Sequence, residues 1–264
     1  MLAASTFRPT TGVRLPFSRR ARLQIGLFLL AYAVYTVARF FTIGDLADAT
    51  ANAHWIVDLQ NAVGVGVESS VQNAFDGSWV MWVLNRLYLA AQLGVIPAVL
   101  IFLYNRSWAI YATLRNTILA TWLISVPIYG LFPVAPPRLA GIGIQDTITS
   151  QTGVSMTSNF STSFFNELAA VPSLHVGFAV AVGFALFAVL KNPVLKWAAL
   201  LWGPIVGLAV VATGNHFLFD AVAGLGAAAL ALILCATQAS ANARPKLEGV
   251  GRFTRIRAAM TTRP

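Results

Sequence analysis

A six-helix, all-α membrane bundle is the fold class this sequence predicts, and three observations predict it. Only 10% of the 264 residues are charged, 57% are hydrophobic and the mean hydropathy is +0.71. A soluble domain carries roughly 25% charged residues, so this chain has too little charge to clothe a water-facing surface and lipid is its expected solvent. The apolar residues gather in six runs, each near the roughly 18–25 residues that cross about 30 Å of hydrocarbon. The basic residues fall in alternate inter-run segments, as a fixed orientation across a membrane requires.

The expected spans are residues 23–43, 79–103, 117–134, 173–190, 194–213 and 217–238. The first is as long as a full span and no small-residue cleavage site follows it, so it reads as a retained helix. Residues 44–78 carry a mixed apolar and polar stretch, Ala53 to Gln60, suited to an interfacial helix. The third and fourth spans are the short ones. Pro172 stands where the fourth begins, a position at which a missing N–H does no harm. Asn192-Pro193 separates the fourth from the fifth. Residues 135–171, rich in Ser, Thr, Gly and Asn, read as a loop over the outer surface. Gly203, Gly207, Gly224 and Gly226 mark places where helices approach closely. The chain therefore divides into a basic tail, 1–22, a membrane domain, 23–238, and a second basic tail, 239–264.

The formal net charge of +9 is concentrated outside the spans. Arg8, Arg14, Arg19, Arg20 and Arg22 precede the first run, and Arg244, Lys246, Arg252, Arg255, Arg257 and Arg263 follow the last. Such flanks read as topology signals and contacts to anionic lipid headgroups rather than as a nucleic-acid surface. Arg106, Arg115, Lys191 and Lys196 fall on the same side as the tails. Asp45, Asp48, Asp58, Glu68, Asp76, Asp146 and Glu167 fall on the other, against one central base, Arg138. The expectation is a multi-pass protein of the cytoplasmic (plasma) membrane with both termini in the cytoplasm. Cys235 is the single cysteine, so no internal disulfide forms.

Four ionisable groups lie at the outer ends of the later spans, where each needs a partner or a purpose. Arg138 follows the third, His175 opens the fourth, and His216 and Asp220 open the sixth. His216 and Asp220 are four apart and share a helix face. A carboxylate there can fix the imidazole tautomer and leave the other ring nitrogen as a directed nucleophile. His175 suits protonation of a departing oxygen, and the Arg138 fork suits phosphate oxygens. The start of the fourth span adds N–H groups near Ser173 and Leu174. Together these describe phosphoryl transfer. With no dense carboxylate cluster for magnesium, a route without metal or other cofactor fits best.

Pro172-Ser173-Leu174-His175 and Gly214-Asn215-His216-Phe217-Leu218-Phe219-Asp220 resemble the second and third signature motifs of the type 2 phosphatidic acid phosphatase superfamily. Pro133 to Leu139, with Arg138, looks like the first motif of the branch related to inositol phosphorylceramide synthase, as do Asn166 and Ala169-Ala170. The resemblance spans roughly residues 80–230. It implies a six-helix bundle in which His216 attacks phosphorus, Asp220 orients it, His175 is the acid, and Arg138, Ser173 and backbone amides hold the phosphate. Relatives often carry a histidine where Gln92 stands, so Gln92, Arg86 and Asn166 are the candidates for headgroup or acceptor recognition.

The implied activity is that of a phosphoric-ester hydrolase or phosphotransferase acting on a phosphorylated membrane lipid, with its site on the extracytoplasmic face. Water as acceptor gives a phosphatase; a polyol or sugar hydroxyl, inositol included, gives a transferase, and the residues prepare only the first half-reaction. A transporter or channel using the same groups as an ion or proton path would favour ionisable residues at the midplane and an inverted repeat. A zinc site on His175, His216 and Asp220 would be removed by a chelator. Among simpler readings, Arg39 and Arg86 snorkel to the interface, Arg115 is a cytoplasmic anchor, His54 is a loop histidine, and Glu68 and Asp58 are ordinary surface acids. Trp79, Trp82, Trp108, Trp197 and Trp202 form an interfacial belt.

Overall fold

The computed structural model describes residues 18–41, 45–155 and 166–237, and these are helical, with one isolated bridge and no strand among them. Most of the 1–22 tail, the whole of the 239–264 tail and the side chain of Arg39 lie outside the described residues. Helix α1 is Arg19–Phe41, α2 Leu46–Ala62, α3 Glu68–Phe75, and α4 runs through Trp79–Arg106. Then come α5 (Trp108–Leu131), α6 (Thr147–Thr152), α7 (Leu174–Val189), α8 (Pro193–Ala212) and α9 (Leu218–Thr237).

Helices fall at all six expected places. Four are long and apolar enough to cross a membrane: residues 19–38 of α1, α4, α8 and α9. Helix α7 is apolar but has 16 residues, about 24 Å at 1.5 Å per residue. Helix α5 has 24, about 36 Å, and starts nine residues before the expected 117. Arg115 had argued against continuing the span. Its guanidinium donates to Gln24 Oε1 of α1 and lies 5.9 Å from the Trp108 ring and 5.8 Å from that of Tyr111, so the helix continues through it. Large apolar side chains such as Leu29, Leu30, Leu123 and Trp197 face outward, as a lipid solvent permits.

Helix α4 widens to a π-helical turn at Ala91–Val95. Pro97 supplies the reason. It lacks the N–H that would close on the Leu93 carbonyl, and its ring crowds that turn.

Helix α7 packs against both α8 and α5, and two bare contacts bring it close to α9. A Cβ on Gly224 of α9 would stand 2.2 Å from the Ser173 carbonyl oxygen, and one on Gly177 would stand 2.8 Å from that of Gly224. Gly203 likewise abuts Val180, whereas Gly207 and Gly226 face open space. So two of the four expected glycines serve close approach, and Gly177, which was not among them, does as well.

Ala53 to Gln60 lies within α2, and α3 follows it as a second helix. The two helices bury Ala49, Ala53, Ile56, Gln60, Glu68 and Gln72. His54 is on α2 and exposed.

Candidate active site

Main-chain hydrogen bonds lace the C-terminal end of α5 and the N-terminal ends of α7 and α9 together before any side chain is considered. Val134 N–H donates to Leu168 O at 2.9 Å and Ala170 N–H to Val134 O at 3.2 Å. That short parallel bridge sets the segment leading to Arg138 beside the segment leading to His175. Arg138 N–H then donates to Gly214 O at 3.0 Å, and Ser173 N–H to Asp220 O at 3.0 Å.

The turn carrying His216 follows from the end of α8. Gly214 has φ +71°, the left-handed conformation that glycine adopts most readily. Gly214 N–H reaches Val211 O and Asn215 N–H reaches Val210 O, both at 3.0 Å, which is the Schellman pattern of a helix C-terminus. His216 N–H shares the Val210 oxygen at 3.1 Å. The backbone at His216 is thus fixed by the helix before it and, through Asp220, by the helix after it.

His216 Nδ1 lies 3.0 Å from Ala170 O and 3.4 Å from Asp220 Oδ2. A carbonyl oxygen can only accept, so Nδ1 carries the proton and Nε2 keeps its lone pair. Asp220 Oδ2 also accepts Phe217 N–H at 2.8 Å. The Asp220 side chain is fully buried behind the histidine rather than on the cavity wall. The His175 ring lies 6.0 Å from that of His216, centroid to centroid, and stacks at 4.2 Å on Tyr88 of α4. The Arg138 side chain is 4% exposed, with Nε 3.6 Å from Asp146 Oδ2. Asp146 is itself fixed as the N-cap of α6, accepting Thr149 N–H at 3.0 Å.

The two imidazoles and Arg138 open on one cavity of about 460 Å³. Arg138, Leu174, His175, His216, Gln92 and Asn166 line it. Its far side is aromatic, with Tyr32 and Tyr35 of α1 and Trp122 and Tyr129 of α5. No acceptor among the described residues takes the N–H groups of Leu174 and His175, because Ser173 Oγ caps α7 further on, at Val176.

The profile of the PAP2 superfamily matches residues 54–234, well over half of the chain. The chain belongs to the PAP2 superfamily. No curated protein sequence matches it. Among solved structures, that of Aquifex aeolicus LpxE aligns with a TM-score of 0.49 and 17% identity, covering 64% of this chain and 91% of that one.

PAP2 membership supports a membrane lipid phosphatase, and His175, His216 and Arg138 line one cavity. Two residues expected there are elsewhere. Ser173 is fully buried, and its hydroxyl caps α7 at 3.5 Å from Val176 N instead of facing the cavity. Arg86 turns back on its own helix, its guanidinium 3.6 Å over the Trp82 ring and Nη1 donating to Trp82 O at 3.1 Å, so it is absent from the lining.

Other residues of the site gave no signal of their own. The Ala170 carbonyl holds the nucleophile candidate, but a main-chain acceptor leaves no trace in residue type. Tyr88 lies within the expected second span, with nothing in the sequence to mark it. Glu167 was one of the seven acids opposite the tails. It lies on the cavity wall, burial raises its carboxyl pKa with Arg138 opposing, and Oε1 finds no partner among the described residues. No three His, Cys, Asp or Glu side chains cluster as metal ligands among the described residues.

Proposed function

We propose that this chain is a lipid phosphatase or phosphotransferase whose phosphoryl group passes through His216. The observation that carries the reading is the cavity jointly lined by His175, His216 and Arg138, with the two imidazoles 6.0 Å apart. A phosphate seated between two rings at that spacing is within reach of both. Nε2 of His216 attacks phosphorus as the P–O bond to the lipid breaks, and His175 gives the departing oxygen its proton. Arg138 and the open N–H groups at the start of α7 hold the non-bridging oxygens, whose charge must be balanced throughout the transfer. A water or an acceptor hydroxyl then attacks the phosphohistidine, returning a proton to His175 and freeing His216.

The wider assignment follows the sequence: six crossings by α1, α4, α5, α7, α8 and α9, a membrane domain at 23–238, both tails in the cytoplasm, and the site on the outer face of the plasma membrane. Polar wall groups available to an acceptor hydroxyl are Gln92 and Asn166. Resemblance to the inositol phosphorylceramide synthase branch favours inositol-phosphate transfer as the reading to test beside hydrolysis. The decisive assay incubates purified protein with radiolabelled phosphatidic acid, a polyprenyl diphosphate and a phosphoinositide, with and without inositol and with and without a chelator. Free phosphate identifies hydrolysis, and a labelled phosphate ester of the acceptor hydroxyl identifies transfer. Turnover of none of them contradicts the proposal, and loss of turnover to the chelator contradicts a metal-free route.

Two substitutions test individual roles. Arg138→Lys keeps the charge but loses the planar fork, so kcat/KM is expected to fall by about tenfold or more. Asp220→Asn is expected to cost about tenfold in kcat. The loss stays moderate because the Ala170 carbonyl, at 3.0 Å, still accepts the Nδ1 proton. A loss for Asp220→Asn as large as that for removing His216 itself would show that the carboxylate, not the carbonyl, fixes the tautomer.

A further inference from the structure

Among the acids of the outer segments, Glu68 is buried, at 6% exposure. Its Oε1 accepts the N–H of Leu218 at 2.8 Å and an Nε2 proton of Gln60 at 2.9 Å. Gln60, 3% exposed, turns its own Oε1 to the N–H of Phe219 at 2.8 Å. With Asp220 Oδ2 on Phe217 N–H, side chains take three successive main-chain donors at the start of α9.

A helix start usually satisfies such donors through its own N-cap side chain. Here the residue before Leu218 is Phe217, which has no acceptor to offer. Two side chains of the α2–α3 hairpin, 150 and 159 residues upstream of their main-chain donors, supply what the local sequence lacks. The same hairpin grips the neighbouring loops through Gln72. Its Nε2 donates to Ala212 O at 3.2 Å, one helix end before His216, and its Oε1 accepts Gln145 N–H at 2.8 Å, next to the Asp146 that faces Arg138.

We propose that Glu68, with Gln60, is a positioning residue for His216. It pins the first turn of α9 from outside the bundle, and so sets the point from which the His216 ring enters the cavity. The inference rests on the proposed role of His216. Carboxylate charge at a helix N-terminus is also favourable to the helix dipole, but the geometric role needs only an acceptor at this position. That difference makes it testable.

The experiment uses the full chain in detergent. It measures kcat and KM on phosphatidic acid micelles or, of the three lipids above, the one turned over fastest, with His216→Ala as the blank. Rates are expressed per folded, monodisperse enzyme. Glu68→Ala is expected to lower kcat about 10–100-fold with KM within about twofold, and Gln60→Ala about fivefold or more. Glu68→Gln retains an oxygen for the same two donors and is expected to keep kcat within about threefold of wild type. If Glu68→Ala does not fold, Gln60→Ala against Glu68→Gln carries the same comparison. Alanine variants turning over at the wild-type kcat overturn the positioning role, as does a Gln variant as impaired as the Ala variant. Wild-type protein no better than the His216→Ala blank strikes instead at the function proposed above.

Discussion

Replacing His216 by Ala is expected to lower turnover by about a thousandfold or more while leaving the protein folded. With Nδ1 of the ring occupied by Ala170 O at 3.0 Å, Nε2 is the nitrogen left to face the cavity. On the proposed mechanism, removing the ring removes the nucleophile and leaves Arg138, His175 and the start of α7 to bind phosphate without transferring it. Substrate affinity is therefore expected to survive. The fold is expected to survive because the backbone at 216 is held by its N–H to Val210 O and by the Schellman turn at Gly214, which need no side chain at 216. Rates and thermal melts of purified wild type and variant check both halves. A variant of near-normal kcat rules out His216 as the attacking group.

Gly224→Ala is expected to have the second largest effect, and it acts from beneath the site. The added methyl would sit 2.2 Å from Ser173 O and 3.2 Å from Ser173 N, and both are backbone atoms that cannot swing aside. Helices α7 and α9 must part, which carries His175 away from His216 and strains the Ser173 to Asp220 main-chain bond. Overpacking of this kind costs about 1–3 kcal/mol or more, so the melting temperature is expected to fall by about 5 °C or more. Loss of the shared geometry is expected to reduce kcat by about a hundredfold. Gly226→Ala, two residues along and facing open space, is the matched control and is expected to leave both quantities unchanged. Equal behaviour of the two variants contradicts this account of the helix crossing.

The places of the six helices were legible because apolar runs of bilayer length have few alternatives in so uncharged a chain. Where the reading missed, a tertiary partner had changed the meaning of a residue. Arg115 looks like a helix boundary until Gln24 and two aromatic rings receive it. Glu68 looks like a surface acid until the apolar start of α9 leaves donors for it to satisfy.

The candidate site was legible in its charged members, since His175, His216 and Arg138 were expected at span ends on one side and do line one cavity. It was illegible wherever a main-chain atom does the work. Ala170 O, which holds the His216 ring, and Gly214 O, which holds the Arg138 loop, have no side-chain signature. The place of the Ser173 hydroxyl was illegible for a related reason: it turns inward to the helix it caps. Pro97 was a usable sign that α4 would not run evenly past Gln92, because a proline inside a span forces a local change of winding.

The most direct measurement mixes the enzyme rapidly with phosphate-labelled lipid, quenches within the first turnover and maps the label on the protein. Phosphate bound to His216, stable to alkali and released by acid, is the expected result, and it should be missing from His216→Ala. Turnover that proceeds with no labelled enzyme at any quench time, or with the label on another residue, would contradict transfer through His216.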